Sequence, residues 1–314
     1  MPIKIRHSKQ QPQQLPLLDQ LALQQLVARG LSVAASRDSS QQEAFLRRSG
    51  DHPSPFRGSG IDYDESRPYQ PGDDLRNINW RLQARSGDLY TKIYMEERES
   101  SYYILIDRRA GMRFGTRNHL KVTRALQIAA FISGCALARG YSIAGILLQP
   151  KSLWLEPRQG MHKLQELLTS AAAPCPPLSV DSSTPGLYGM LSQLQMRVTR
   201  GSHIVLISDF HDINTTDIAI LTELGRFHQL QAIQVLDPVE QQLPQRGAWS
   251  LNDFGSDQHV RVQAGDQQLH DQYQQQIQQQ QQLLEKILTS AKVPLIRSTT
   301  DQPFADIEGQ LSHV

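Results

Sequence analysis

From residue 101 onward, short apolar runs alternate with longer segments whose apolar positions recur three and four apart. The runs at 102–106, 143–148, 203–207 and 230–236 have the length of buried strands, and 152–155 and 293–297 add two shorter candidates. Helical spacing covers 120–139, stopped by Gly140, and then 161–170, 187–198 and 217–227. Between the second and third of these helices, 174–186 is a proline-rich loop. This alternation predicts an α/β fold: a mostly parallel sheet covered by helices on both faces, with right-handed connections. Residues 241–264 interrupt it with short, hairpin-like pieces. In the glutamine tract that follows, Tyr273, Ile277, Leu284, Ile287 and Leu288 mark one face of a long, mostly solvated helix.

The pattern before residue 101 is different. Leu15, Leu18, Leu21, Leu26 and Val27 recur at roughly helical spacing, which predicts an amphipathic helix ending near Gly30. Residues 36–60, rich in Ser, Arg, Gly and Pro, read as a linker or arm. Gln70-Pro71-Gly72-Asp73 suits a type II turn, and Asp73 or Asp74 can cap a short helical turn running into Trp80. Leu89, Thr91, Ile93 and Met95 alternate with Tyr90, Lys92, Tyr94 and Glu96 as a strand with two unlike faces. With a second strand at 61–67, this predicts a small, mostly-β module, with Trp80 as a packing anchor between the module and the sheet. The expected organisation is an N-terminal helix and arm (1–35), the module (36–100), the α/β domain (101–300) and a C-terminal tail (301–314).

Composition narrows the function classes. The 314 residues carry 32 Lys+Arg against 31 Asp+Glu, a formal net charge of +1, which is not the basic excess of a phosphate-neutralising protein. Nucleic acid is therefore not an expected partner. The two cysteines, Cys135 and Cys175, make neither a disulfide framework nor a zinc knuckle, in keeping with a reducing compartment. The N-terminus does not read as a signal peptide, and the most apolar helix, near 125–138, is too short to span a bilayer. A cytoplasmic protein with no stable membrane insertion is expected.

The motifs of nucleotide loops, dinucleotide folds, zinc peptidases and nucleophile elbows are absent from the sequence. Two acids are more informative. Asp107 and Asp209 end two of the apolar runs, and ligands of open α/β sheets sit beyond the carboxyl ends of strands. His211 and Asp212 follow Asp209, so these oxygens and one imidazole form a candidate divalent-ion cluster. The alternative is that the acids cap helices or pair with Arg108, Arg109 and Arg113. The Asp209-Phe210-His211 spacing is also that of the opening of metal-dependent phosphoesterase sites, whose remaining ligands are not evident.

The segment from Arg57 to Glu99 resembles domain of unknown function 58, a bacterial and archaeal family. The match runs through Arg67-Pro68-Tyr69-Gln70-Pro71-Gly72-Asp73-Asp74-Leu75-Arg76-Asn77-Ile78-Asn79-Trp80, then Ala84-Arg85-Ser86-Gly87, then Glu97-Arg98-Glu99. The family has Asp before the tryptophan, where this chain has Asn79. The resemblance implies that the α/β region is a von Willebrand factor A-like (Rossmann-like) domain, many of which bind a metal ion through D-x-S-x-S. Here that stretch reads Asp107-Arg108-Arg109-Ala110-Gly111, with Arg109 and Gly111 in place of the two serines. Arg109 brings a permanent positive charge and no acceptor. No tight metal site and no cofactor are expected, and Asp107, Arg109, Gly111, Asp209, His211 and Asp212 become a charged contact surface. The resemblance further implies a non-enzymatic adaptor working with a MoxR-type AAA+ ATPase and other A-domain proteins in assembly, maturation or stress response. The competing expectation is a metal-dependent, phosphoesterase-like hydrolase on Asp107, Asp209, His211 and Asp212.

Overall fold

The apolar runs of the second half become the middle of one sheet. The structure, a computed structural model, describes residues 3–5, 17–48, 63–71, 74–94, 101–176, 185–243, 248–253, 259–263 and 267–314. In chain order the elements begin with β1 (Ile3–Ile5), α1 (Gln20–Arg48), β2 (Tyr63–Pro68), α2 (Trp80–Ser86), β3 (Tyr90–Tyr94), β4 (Ser101–Asp107), α3 (Lys121–Ala138), β5 (Ser142–Leu148) and β6 (Leu153–Arg158). There follow α4 (Met161–Ala172), α5 (Leu187–Arg197), β7 (His203–Ser208), α6 (Asp217–Phe227), β8 (Gln229–Leu236) and α7 (Pro238–Gln241). The last are β9 (Ala248–Asp253), β10 (His259–Gln263), α8 (Gln267–Ser290), β11 (Leu295–Thr299) and α9 (Ala305–Leu311). Residues 41–99 form one compact unit, and 1–40 together with 100–314 form the other.

The larger unit is built on a six-stranded sheet of order β11-β8-β7-β4-β5-β6. Every neighbouring pair is parallel except β5 and β6, so the short return strand expected at 152–155 is an antiparallel edge. Side chains along a strand alternate between faces, and β4 shows it. Tyr102, Ile104 and Ile106 join a core with α1, α3, α4 and α9, whereas Tyr103 and Leu105 join a second core with α5, α6 and α8. Helices thus cover both faces, and the mixed α/β class read from the sequence is the fold observed. The hairpin-like pieces also exist: β9 pairs antiparallel with β10 and, on its other side, with β1. Neither cysteine is in a disulfide; Cys135 is buried and Cys175 half-buried.

Two sequence expectations fail at α1. The helix passes through Gly30 and runs to Arg48, so the first part of the expected linker is helical. Gly30 is a crossing point rather than a stop: a Cβ there would lie 2.2 Å from the Phe131 carbonyl oxygen, and one on Gly134 would lie 2.3 Å from that of Val27. The two glycines let the backbones of α1 and α3 touch. With Leu23, Val27 and Ala34 in the main core, α1 as far as residue 40 is part of the α/β unit and not a separate arm. The tail is also structured, because α9 buries Ile307 and Leu311 in that core.

The smaller unit pairs β2 antiparallel with β3. Its described residues also hold a 3-10 turn, Leu75–Asn77, capped by Asp74, whose side chain accepts from the Arg76 N–H at 3.0 Å. Asn79 caps α2 by accepting from the Leu82 N–H at 3.1 Å, and Gly87, at φ +80°, ends it in the left-handed region. Trp80, the first residue of α2, is 61% exposed. Arg67, Arg76, Ala84 and Arg85 fall on these elements and Tyr69 directly follows β2, while Gly72, Asp73, Glu97 and Arg98 lie outside the described residues.

Candidate functional site

β4 and β7 are neighbours, and their carboxyl ends deliver Asp107 and Ser208–Asp209 to one edge of the sheet. Beyond Asp209 the chain turns at Phe210, a buried residue at φ +55°. That left-handed conformation is unfavourable for a bulky L-residue and is held by the packing around it. It directs His211 and Asp212 back over the strand ends, so the acids singled out by sequence converge.

Arg109 organises one half of this edge. Its Nε donates to Asp107 Oδ1 at 3.0 Å and its Nη2 to Asp107 Oδ2 at 2.7 Å. On its other side Nη1 donates to Asp212 Oδ2 at 2.5 Å and Nη2 to Asp212 Oδ1 at 2.9 Å. One guanidinium fork therefore grips two carboxylates. The Ser208 hydroxyl adds a bond to Asp107 Oδ2 at 2.6 Å, and the backbone N–H of Arg109 donates to Asp107 Oδ1 at 2.9 Å. Asp212 Oδ2 also accepts from the Leu187 N–H at 2.9 Å, which ties the first turn of α5 to the cluster. Burial alone would lower the guanidinium pKa, but Asp107 and then Asp212 outweigh it and carry it above the ordinary value. Burial likewise pushes Asp212 up, and Arg109 brings it below the usual carboxylate range.

Lys121 organises the other half. It is the first residue of α3, its side chain is 1% exposed, and its Nζ donates to Asp209 Oδ2 at 2.9 Å and Glu240 Oε1 at 2.5 Å. Glu240 is itself fixed by α7: its Oε2 accepts from the Asp237 N–H at 2.9 Å while the Asp237 side chain caps the same turn. His211 Nδ1 lies 3.0 Å from Asp209 Oδ1. Burial would raise the Asp209 carboxyl, but the Lys121 ammonium, then His211, hold it well below the ordinary range. Glu240 goes the other way: burial raises it, the Lys121 ammonium lowers it by less, and the negative charge of Asp209 adds to the rise. The bond to Asp209 raises His211 despite its burial. Gly111 passes so close that a Cβ on it would sit 2.6 Å from Asp209 Oδ2.

These residues do not fit a divalent ion as they stand. The space between Asp107 and Asp212 is filled by a guanidinium, Asp209 is engaged by an ammonium, and Gly111 has neither a donor nor room for one. Among the described residues, no three His, Cys, Asp or Glu side chains are placed to hold a metal ion. Arg108 and Arg113 do not join in: Arg108 donates to the Ser170 carbonyl at 3.4 Å and the Ala173 carbonyl at 2.5 Å, and Arg113 to the Arg108 carbonyl at 3.2 Å. The groups that meet solvent are Asp212, Glu240 and His211, with side chains 26%, 28% and 37% exposed. Sequence reasoning missed Ser208, Lys121 and Glu240. The signal for Lys121 is a cation in the first turn of a helix whose N-cap, Leu120, makes no side-chain cap bond. That position opposes the helix dipole and calls for a nearby anion.

The architecture is that of a mixed α/β protein with a charged, internally paired strand-end edge. Residues 65–283 match the family described as Protein of unknown function DUF58, and the chain belongs to that family. An uncharacterized protein of Mycobacterium bovis and one of Mycobacterium tuberculosis are each 31% identical over 212 residues, covering 66% of this chain and 65% of theirs. The chain thus spans a little under two thirds of the length of these curated relatives. Among solved structures, a conserved hypothetical protein BatB from Bacteroides thetaiotaomicron aligns with TM-score 0.44 and 10% identity, over 68% of this chain and 96% of that one. An aerotolerance-related membrane protein from Bacteroides fragilis aligns with TM-score 0.43 and 12% identity, over 68% and 98%. Among the described residues of this chain, no helix is long and apolar enough to cross a membrane.

Proposed function

We propose that this chain is a non-enzymatic binding protein whose larger unit is a von Willebrand factor A-like domain, with the carboxyl edge of the sheet as its docking face. The observation that carries this reading is the saturation of the edge. Asp107 and Asp209 are the acids best placed for chemistry, and both are buried and bonded to cations of the chain itself. A general base or an ion ligand needs a free lone pair; a recognition surface needs a fixed pattern of charge. Asp212, Glu240 and His211 offer such a pattern at the rim. The partner proposed is a MoxR-type AAA+ ATPase or its client, in the cytoplasm, on the strength of the family resemblance of the 67–99 signature.

The test is co-purification with the tagged full chain from native lysate, in ATP and in ADP. Retention of the ATPase in one nucleotide state and its loss on charge reversal by Asp212→Lys is the expected result. Recovery of no ATPase in either state counts against the reading. Calorimetry with Mg²⁺, Mn²⁺ and Zn²⁺ addresses the hydrolase alternative: tight binding lost in Asp209→Ala, with turnover of a phosphate ester, would replace the adaptor by an enzyme.

A further inference from the structure

We propose that Arg109 is a tethered cation standing where a divalent ion would otherwise hold the sheet edge together, and that Asp107, Asp212 and Ser208 form a latent divalent-cation site beneath it. This goes beyond the docking reading and does not depend on it. The geometry is that of a cation site already filled. A single nitrogen, Arg109 Nη2, lies 2.7 Å from Asp107 Oδ2 and 2.9 Å from Asp212 Oδ1. Ser208 Oγ is 2.6 Å from that same Asp107 oxygen. The set is all oxygen, the donor type that hard divalent ions take.

Charge and connectivity support the same conclusion. Two carboxylates face one guanidinium, so the pocket keeps one uncompensated negative charge, which a divalent ion in place of the guanidinium would neutralise. Asp107 ends β4, Ser208 ends β7, and Asp212 holds the first turn of α5 through the Leu187 N–H. These three elements meet through the cation; without one, the buried Asp107 and the half-buried Asp212 would repel across the gap. A cation carried on the chain cannot be chelated or diluted away. The edge is therefore assembled at any divalent concentration, unlike an edge closed by a free ion. Asp209 stays outside this pocket, since Lys121 and His211 engage both of its oxygens.

The experiment is thermal unfolding of the full chain in millimolar MgCl₂, MnCl₂ or EDTA. The wild-type midpoint is expected to be the same in all three. Arg109→Ser is expected to lose about 10 °C in EDTA, because a partner is removed from a buried ion pair. It should recover most of that loss, saturably, in Mn²⁺ or Mg²⁺. Arg109→Lys keeps a tethered charge and should respond to neither. A wild-type midpoint that falls in EDTA, or an Arg109→Ser midpoint indifferent to both metals, overturns the proposal. So does an Arg109→Ser chain that refolds in no condition, Mn²⁺ included. A measurement on the wild type closes the case independently: stoichiometric Mn²⁺ should leave the Ser208 and Asp212 amide signals sharp, and paramagnetic broadening there would refute the filled-site reading.

Discussion

The two halves of the strand-end edge compensate their acids by unlike means. In the Arg109 half, one planar fork holds two carboxylates with five hydrogen bonds drawn from three of its nitrogens. In the Lys121 half, one point charge is divided between Asp209 and Glu240, and a histidine leans on the same aspartate. A guanidinium stays charged at every accessible pH and fixes direction as well as charge. An ammonium shared by two acids leaves a residual negative charge, which His211 can offset only when protonated. The first half is a fixed joint, and the second is one that pH can loosen.

The largest expected break in this contrast is Lys121→Met. It leaves Asp209 buried without its main cation, at a cost of about 3–5 kcal/mol in urea denaturation. It should also move Asp209 up toward the ordinary carboxylate range, so that the acid limb of the stability profile shifts to higher pH. Gly111→Ala comes next. Its methyl would lie 2.6 Å from Asp209 Oδ2, an oxygen that cannot swing away without releasing Lys121. A loss of about 1–3 kcal/mol is expected in the same assay.

The smallest effect concerns His211, and here the sign matters. Its pKa is raised in the folded state above the ordinary 6.5, chiefly by Asp209. The stabilisation it gives is complete below that ordinary value and fades as pH rises through the folded one. Asp209 is held below its ordinary 3.8, so its share is present above that value and lost as pH falls. His211→Gln should therefore flatten the stability profile on the alkaline side of pH 6.5 by less than about 1 kcal/mol, the ring being more than a third exposed. Histidine NMR titration checks the direction. A folded midpoint below the ordinary value would erase the distinction between the two halves.

Much of the sheet was legible in the sequence, because buried parallel strands are short continuous apolar runs. Asp107 and Asp209 stood out for the same reason: they are the polar residues at which two such runs stop. Arg109 was legible as a lost serine, but its grip on Asp212 was not, since the pair joins residues 103 positions apart. Lys121 and Glu240 lay hidden in the same way. The Asp237–Glu240 capping box has a local signature, yet Asp237-Pro238 reads first as a strand terminator. Gly30 misled because a glycine that permits two backbones to touch looks, in one dimension, like one that ends a helix.

The span of these ion pairs also bears on how the native state is reached and lost. Arg109 to Asp212, Lys121 to Asp209 and Lys121 to Glu240 close loops of 103, 88 and 119 residues. Long closures cost chain entropy before any contact rewards them, so nearer pairings such as β4 with β5 condense earlier. Interactions formed after the rate-limiting step act on the unfolding rate and leave the folding rate alone. In denaturant-jump kinetics, Lys121→Met should raise the unfolding limb and barely move the refolding limb. The charged edge then works as a latch: it governs how long the folded chain persists, while the apolar strands beneath govern how fast it forms.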